Sequence, residues 1–296
     1  MSRELRLIIV SGLSGSGKSV ALHVLEDLGY YCIDNLPAAL LKSAVHEAHS
    51  KQGSAAELLA VGVDARNRPQ DLESLPGLVT DLKEQGVRTD IIFLDATDEV
   101  LLQRYSESRR RHPLAHQGAE LRKAIETERE ILTQINDAAD LIIDTSTSSI
   151  YELADVLRER VDRRQHNSLS VLIESFGYKY RIPADADFVF DMRCLPNPYW
   201  TIELRGLTGL DDEVVEFLNA QEMFIAMYDD IAAFLDRWIP RFEDAHRGYL
   251  TIAIGCTGGQ HRSVCMAEKL AAVLRVKNSS VLTRHNSLPQ LRNHSN

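Results

Sequence analysis

The chain has 296 residues, of which 44% are hydrophobic and 26% charged, and its formal net charge is −10 at pH 7. This length predicts about two domains with separate cores, and the acidic balance argues against a protein that coats nucleic acid generally. The first residues lack a signal-peptide pattern and no apolar run is long enough to cross a bilayer, so we expect a cytoplasmic protein. The 4 cysteines show no metal-ligand spacing and are expected to be reduced thiols.

An apolar run over residues 5–10 predicts the first strand, and a glycine-rich turn followed by a helical pattern comes directly after it. The turn fits G-x-x-x-x-G-K-[ST] without a gap. Its glycines can adopt positive φ, so that consecutive backbone N–H groups turn inward around phosphate oxygens. Lys18 would reach the β- and γ-phosphates and Ser19 would bind Mg²⁺. The predicted nucleotide site, called the phosphate loop below, consists of Gly12, Leu13, Ser14, Gly15, Ser16, Gly17, Lys18 and Ser19.

Three further apolar runs, over residues 30–33, 58–63 and 91–94, each end in a carboxylate: Asp34, Asp64 and Asp95. Ligands of open α/β sheets lie outside the carboxyl ends of the strands. Asp34 is therefore a candidate for contact with Mg²⁺, water or a phosphate acceptor, although it could equally cap the next helix. Either Asp64 or Asp95 could hold Mg²⁺ through water, and the clean run before Asp95 favours Asp95 as the catalytic, metal-binding carboxylate.

Arg109, Arg110 and Arg111 end the helix that begins near Glu99. A row of arginines is typical of a solvated helix end, but small P-loop kinases carry a lid at this place, and a lid arginine neutralises charge on the transferred phosphoryl group. A helix at 121–138, a strand at 141–146 and a helix at 150–163 continue the alternation of strands and helices. This alternation predicts an α/β fold with a parallel sheet covered on both faces.

The polar stretch 163–168 predicts a domain boundary. We expect a P-loop nucleotide-binding domain over residues 1–165 and a smaller α/β domain over residues 166–296. In the second domain, strands are predicted at 170–176, 187–191 and 249–255, and a helical pattern at 211–245.

The strand at 249–255 leads into a second glycine turn and another helix, an arrangement typical of an anion site. Cys256 and Arg262 stand at the C-x₅-R spacing of cysteine phosphatases, in which a thiolate attacks phosphorus and the arginine clamps the oxygens. Gly255, however, occupies the place of a phosphatase histidine, and no acid for the leaving group is identifiable. An anion pocket without catalysis is favoured over a phosphatase and over a purely structural turn. The candidate anion-binding residues are Cys256, Thr257, Gly258, Gly259, His261, Arg262 and Ser263.

Residues 269–296 contain no Asp or Glu, and Arg275, Lys277 and Arg284 are candidates for RNA contacts. On charge alone, a solvated chain end explains this segment as well.

Six segments together resemble the RapZ (YvcJ-type) family of P-loop nucleotide-binding proteins, some of which are RNase adapter proteins. The segments are Val10–Ser19, Tyr31–Pro37, Asp64–Asn67, Phe93–Ala96, Arg193–Pro198 and Ala253–Ser263. The resemblance implies ATPase and GTPase activity, with ATP and Mg²⁺ on the phosphate loop. It also implies a guanine-nucleotide contact at Asp64, Ala65, Arg66 and Asn67.

The resemblance further implies a homo-oligomer. In adapter-type members the C-terminal domain binds a small RNA, serves a ribonuclease partner and senses an amino-sugar phosphate. In this chain, Cys256–Ser263 with Asn197 and Tyr199 would hold that phosphosugar. Those members end in a dense Lys/Arg cluster, whereas residues 286–296 here carry only Arg292 as a full cation. Since counterion release scales with the phosphates neutralised, we expect weaker RNA binding.

Two other functions fit the same residues. The first is a kinase for a small metabolite, with Asp34 as base and Arg109–Arg111 as lid. The second is a regulatory protein whose nucleotide site is a sensor or only structural.

Overall fold

The computed structural model describes residues 5–50, 58–108, 111–115, 120–162, 169–245, 247–277 and 280–288. The chain divides into two compact units, Met1–Asp162 and Arg163–Asn296. The division falls at the start of the polar stretch that predicts the domain boundary. Within the described ranges, no helix is both long enough and apolar enough to cross a membrane.

The first unit is built on a five-stranded parallel sheet with the strand order β2-β3-β1-β4-β5. Its strands are β1 (Arg6–Gly12), β2 (Tyr31–Ile33), β3 (Leu58–Gly62), β4 (Arg88–Asp95) and β5 (Leu141–Asp144). Its described α-helices are α1 (Lys18–Asp27), α2 (Leu41–Ser50), α3 (Pro69–Glu84), α4 (Asp98–Ser108), α5 (Leu121–Asp137) and α6 (Ile150–Asp162).

Strand β1 lies at the centre of this sheet, and every one of its residues is buried. Ile9 pairs with Val61 of β3 on one side and with Ile91 of β4 on the other. A strand that is covered on both faces reads as a continuous apolar run, which is why the sequence signals it clearly. The phosphate loop therefore opens at the middle of the carboxyl edge, between the ends of β3 and β4.

The second unit contains a four-stranded parallel sheet with the order β7-β8-β6-β9. Its strands are β6 (Ser170–Gly177), β7 (Phe188–Asp191), β8 (Tyr249–Cys256) and β9 (Val281–His285). Its described α-helices are α7 (Asp212–Asn219), α8 (Glu222–Asp244) and α9 (Arg262–Lys277). The two parallel sheets confirm the predicted α/β class.

The helical pattern predicted over residues 211–245 is divided into α7 and α8. Gln221 adopts an extended backbone (φ −95°, ψ 116°), which ends one helix and begins the next. The break lets Val214 and Leu218 of α7 and Phe224 of α8 pack into one hydrophobic core. The prediction that residues 211–245 are helical is confirmed except at this break, which apolar periodicity alone does not locate.

Candidate functional site

The phosphate loop takes the backbone conformation that its sequence predicts. Gly12, Gly15 and Gly17 have φ values of 139°, 92° and 112°, in the region that favours glycine. A Cβ atom on Gly12 would lie 2.2 Å from the carbonyl oxygen of Leu94 in the neighbouring strand β4. The loop therefore depends on glycine at this position both for its φ angle and for its approach to the sheet.

Lys18 begins helix α1, and its Nζ donates a hydrogen bond to the carbonyl oxygen of Gly12 at 2.7 Å. Burial lowers the pKa of Lys18, and the charges of Glu128, Asp64 and Asp34 oppose that shift. The structure thus brings two of the predicted strand-end carboxylates into the electrostatic field of the phosphate-loop lysine, together with a third acid that sequence analysis did not anticipate.

The carboxylate of Asp34 is exposed beside β3, and its Oδ1 would lie 2.8 Å from a Cβ atom on Gly62. Glycine at position 62 therefore makes room for this carboxylate at the edge of the sheet. The open position leaves Asp34 accessible to solvent and to a ligand.

Asp64 is buried at the end of β3 and pairs with Arg66. The guanidinium Nε lies 3.1 and 3.0 Å from the two carboxylate oxygens, and Nη2 lies 2.5 Å from Oδ2. Burial alone raises the pKa of Asp64, but the hydrogen bonds from Arg66 and the charge of Lys18 outweigh it, so that the pKa is lowered. Asn67 accepts from the Ala38 amide at 2.7 Å and donates to the Asp64 carbonyl at 3.1 Å. Much of the polar surface of 64–67 is thus used within the chain, and the guanine contact there stays a prediction.

Asp95 lies at the end of β4 as the sequence predicts, but its carboxylate pairs with Arg129 of α5. The Nη1 atom of Arg129 lies 2.9 and 3.2 Å from the two oxygens, and the Ala96 amide donates at 2.7 Å. Arg129 also pairs with Asp98 at 2.9 Å. A role for Asp95 in holding Mg²⁺ would require this ion pair to open.

Glu128 is a functional candidate that sequence analysis missed. It lies on the buried stripe of α5, among residues such as Ile125 and Leu132. Its oxygens accept from the Ser14 amide at 2.8 Å and from the Ser14 hydroxyl at 2.6 Å, and His112 Nε2 lies 3.0 Å away. A carboxylate in the middle of an apolar helix stripe is the sequence signal that could have identified it.

Arg104 of α4 is a second residue that sequence analysis missed. Its Nη1 donates to the carbonyl oxygen of Gly15 at 2.9 Å, and its Nη2 donates to the carbonyl oxygen of Thr145 at 2.6 Å. Arg104 therefore connects the phosphate loop to the end of β5. Of the predicted lid, Arg109 and Arg110 lie outside the described residues, and Arg111 is exposed.

The second turn, defined as Cys256–Ser263, connects β8 to α9. The Sγ atom of Cys256 accepts from the Gly259 amide at 3.2 Å and lies 3.1 Å from the hydroxyl oxygen of Ser263. His261 is buried with Nε2 lying 3.1 Å from the Leu204 carbonyl oxygen, and burial lowers its pKa. The turn thus folds as a compact unit around the cysteine.

Arg262 is only 4% exposed. Its Nη1 donates to the carbonyl oxygens of Arg193 and Leu195 at 3.2 and 2.9 Å, and its Nη2 lies 3.4 Å from Thr257 Oγ1. This arginine holds the loop after β7 onto the second turn, whereas the C-x₅-R spacing predicts a clamp for an anion.

Two aromatic rings occupy the space beside Gly255. A Cβ atom on Gly255 would lie 2.5 Å from Phe176 Cζ and 2.5 Å from Tyr178 Cε2. The position therefore has no room for the histidine that precedes the cysteine of a phosphatase.

Arg193 is an exposed cation beside the second turn. It stacks over the Tyr178 ring at 3.8 Å from the centroid and pairs with Asp191 at 2.7 Å. Because its side chain is half exposed, it can meet a ligand that Arg262 cannot reach.

The candidate RNA-binding cations are partly neutralised within the chain. Arg275 donates to Thr283 Oγ1 at 3.0 Å and lies 3.9 Å from a Glu268 oxygen, and Lys277 pairs with Asp236. Arg284 lies on β9. RNA contacts at these positions stay a prediction, and Arg292 lies outside the described residues.

Comparison with known proteins identifies the family. The model of the RapZ-like N-terminal domain matches residues 5–165, and the model of the RapZ C-terminal domain matches residues 169–289. A nucleotide-binding protein of Halorhodospira halophila is 51% identical over 284 residues, which cover 96% of this chain and 99% of that protein. A nucleotide-binding protein of Marinobacter nauticus is 48% identical over 288 residues, covering 97% and 98%.

Among solved structures, shikimate kinase from Acinetobacter baumannii in complex with shikimate has a TM-score of 0.36 and 19% identity, covering 55% of this chain and 97% of that one. The two domain models account for both units of the chain, in the order in which the units occur. The resemblance drawn from the sequence motifs is thereby confirmed, and the chain belongs to the RapZ family.

Proposed function

We propose that the first unit binds ATP and GTP at the phosphate loop and hydrolyses them slowly, in the service of a regulatory role. The observation that carries this proposal is the position of Lys18, whose amine lies inside a glycine loop and within the field of three carboxylates. The names of the curated relatives support nucleotide binding.

In the mechanism, a triphosphate replaces the Gly12 carbonyl oxygen as the partner of Lys18. The backbone amides of the loop and the Lys18 ammonium stabilise the negative charge on the β- and γ-phosphates while water attacks the γ-phosphate. The positive end of α1 points at the same anion. A second cation that neutralises the charge of the transferred phosphate would speed hydrolysis. Arg104 is a cation near the loop, but it already donates to two carbonyl oxygens, so we expect hydrolysis to be slow.

The residues around the loop fit a magnesium ion that arrives with the nucleotide. No group of three His, Cys, Asp or Glu side chains that could hold a metal occurs in the described part of the chain. A P-loop site does not need such a group, because the protein supplies a single hydroxyl ligand to Mg²⁺ and the phosphate oxygens and water supply the others. Ser19 would supply that hydroxyl, and the exposed Asp34 is better placed to hold the water ligands than Asp64 and Asp95, which pair with Arg66 and Arg129. Bound Mg²⁺ would neutralise charge on the β- and γ-phosphates.

The test is phosphate release from ATP and from GTP by the full chain with Mg²⁺. Lys18→Ala should lower turnover at least about 100-fold, because it removes the cation that meets the transferred phosphate. Lys42→Ala is the matched control, since Lys42 is exposed and paired with Asp81 on the surface, and it should keep the full rate. An unchanged rate in Lys18→Ala would refute hydrolysis at this loop.

A kinase for a small metabolite is the second candidate. The observation that favours it is the exposed carboxylate of Asp34, which is free to take a proton from an acceptor hydroxyl and acts on Lys18 through its charge. The same assay separates the two functions. Phosphate release without an acceptor supports hydrolysis, whereas phosphorylation only of an added acceptor supports the kinase.

For the second unit, we propose a sensor of an anionic ligand, an amino-sugar phosphate by family resemblance, bound at the second turn. Arg193 supplies the accessible cation there, and Gly258 leaves open space, since a Cβ on it would have no neighbour within 4 Å. A small RNA, a ribonuclease partner and a homo-oligomer belong to the same proposed regulatory role. Pairing of Lys277 and Arg275 with acids is a reason to expect RNA binding to be weak.

A further inference from the structure

A carboxylate of the protein itself occupies part of the phosphate loop. Glu128 is 0% exposed, and its two oxygens accept from the amide and from the hydroxyl of Ser14, the third residue of the loop. Ser14 is 114 positions away in the sequence. The loop amide is thus satisfied by an internal anion before any nucleotide arrives.

This carboxylate is ionised. Burial alone raises the pKa of Glu128, but hydrogen bonds from His112 and Ser14 and the charge of Lys18 outweigh it, and the pKa is lowered. An ionised carboxylate only accepts hydrogen bonds, so His112 donates through Nε2. The Nδ1 atom of His112 accepts from the Leu114 amide at 3.2 Å. His112 therefore directs its Nε2–H at Glu128.

Glu128 and Lys18 also act on each other through their charges: the carboxylate opposes the lowering of the Lys18 pKa by burial, and the ammonium lowers the pKa of Glu128. Lys18 is also the cation that a P-loop gives to the β- and γ-phosphates. A triphosphate and Glu128 therefore require the same cation, and they repel each other.

We propose that Glu128 is an internal competitor of the γ-phosphate and sets how strongly the loop prefers a nucleoside diphosphate over a triphosphate. A triphosphate brings one more charged phosphate to the loop than a diphosphate does, and Lys18 is the cation that meets the β- and γ-phosphates, so the charge of Glu128 weakens the binding of the triphosphate more. Glu128 does not act as a base for water in this arrangement, because both oxygens are buried and already accept from Ser14. The inference rests on the proposed nucleotide site.

Glu128→Gln tests the proposal because it keeps the size of the side chain and an oxygen acceptor for Ser14 while it removes the charge. Calorimetric titration of the full chain with ADP and with a non-hydrolysable ATP analogue, both with Mg²⁺, gives two dissociation constants. The ATP-analogue constant should fall about tenfold, and the ADP constant should change by less than about twofold. Glu126→Gln, on the exposed face of the same helix, is the matched control and should leave both constants unchanged.

The outcomes are distinct. An unchanged ratio of the two constants in a folded Glu128→Gln variant overturns the proposal, and an equal loss of affinity for both nucleotides shows a merely structural contact. If Glu128→Gln does not fold, Ser14→Ala removes the 2.6 Å contact and should shift the ratio in the same direction by a smaller factor; no shift overturns the proposal. Failure of the unaltered chain to bind either nucleotide refutes the proposed site itself.

Discussion

The two units each contain a strand, a glycine turn and a helix that begins with a basic residue, yet the two cations have different roles. Lys18 begins α1 and is held by a single carbonyl oxygen at 2.7 Å. Arg262 begins α9 and donates to two carbonyl oxygens and lies near a hydroxyl. A ligand that takes Lys18 breaks one hydrogen bond, whereas a ligand that takes Arg262 strands acceptors at a cost of about 1–3 kcal/mol each. The shared motif therefore predicts an anion site more securely in the first unit than in the second.

The largest expected effect is on stability, and it distinguishes a glycine of the phosphate loop from a glycine of the second turn. Gly12→Ala should destabilise the first unit by about 3 kcal/mol, since the new Cβ meets the Leu94 carbonyl and the residue keeps a positive φ. Gly258→Ala in the second turn is the control, because its Cβ has no neighbour within 4 Å. Urea unfolding followed by far-ultraviolet circular dichroism measures both. Equal losses in the two variants would contradict the difference in packing.

The next effect distinguishes the two arginines at the second turn. Arg262→Ala should destabilise the second unit by about 2 kcal/mol, because it leaves the Arg193 and Leu195 carbonyl oxygens without their donor. Arg193→Ala should leave the unfolding midpoint unchanged but weaken the binding of sugar phosphates. Both tryptophans of the chain, Trp200 and Trp238, lie in this unit, so their fluorescence reports its unfolding.

Calorimetric titration with a panel of sugar phosphates completes that comparison. Binding that survives Arg193→Ala and vanishes in a folded Arg262→Lys variant would show that the buried arginine is the clamp after all.

The smallest effect concerns pH. Burial lowers the pKa of His261 below its ordinary value of 6.5, so the unfolded chain binds more protons than the folded unit below that pH. Stability is then full above about pH 6.5 and declines as pH falls from there, by up to about 1 kcal/mol per pH unit. Tryptophan fluorescence in urea at pH 7.5 and 5.5 measures the decline. His261→Gln should make this decline in stability smaller. His285, whose pKa is also lowered by burial, should account for a further part of the decline. A slope that is the same with and without His261 would contradict this assignment.

Local patterns in the sequence were sufficient for the features that depend on neighbouring residues. Residue spacing alone predicted the phosphate loop, the buried strand before it and the aspartates at the ends of β3 and β4. Contacts made across the fold could not be predicted in this way. Glu128 reaches Ser14 from a distant helix, and Asp95 meets Arg129 of that same helix. Spacing also could not reveal whether the guanidinium of Arg262 faces a ligand or the backbone of its own chain.

The rings beside Gly255 restrict how this chain could evolve. A histidine before Cys256 would complete the sequence signature of a cysteine phosphatase, but the side chain would collide with Phe176 and Tyr178. Those rings pack against each other at 4.9 Å, so both would have to move or be replaced before a histidine could fit at position 255. A substitution at position 255 alone therefore does not fit the packing of the second unit.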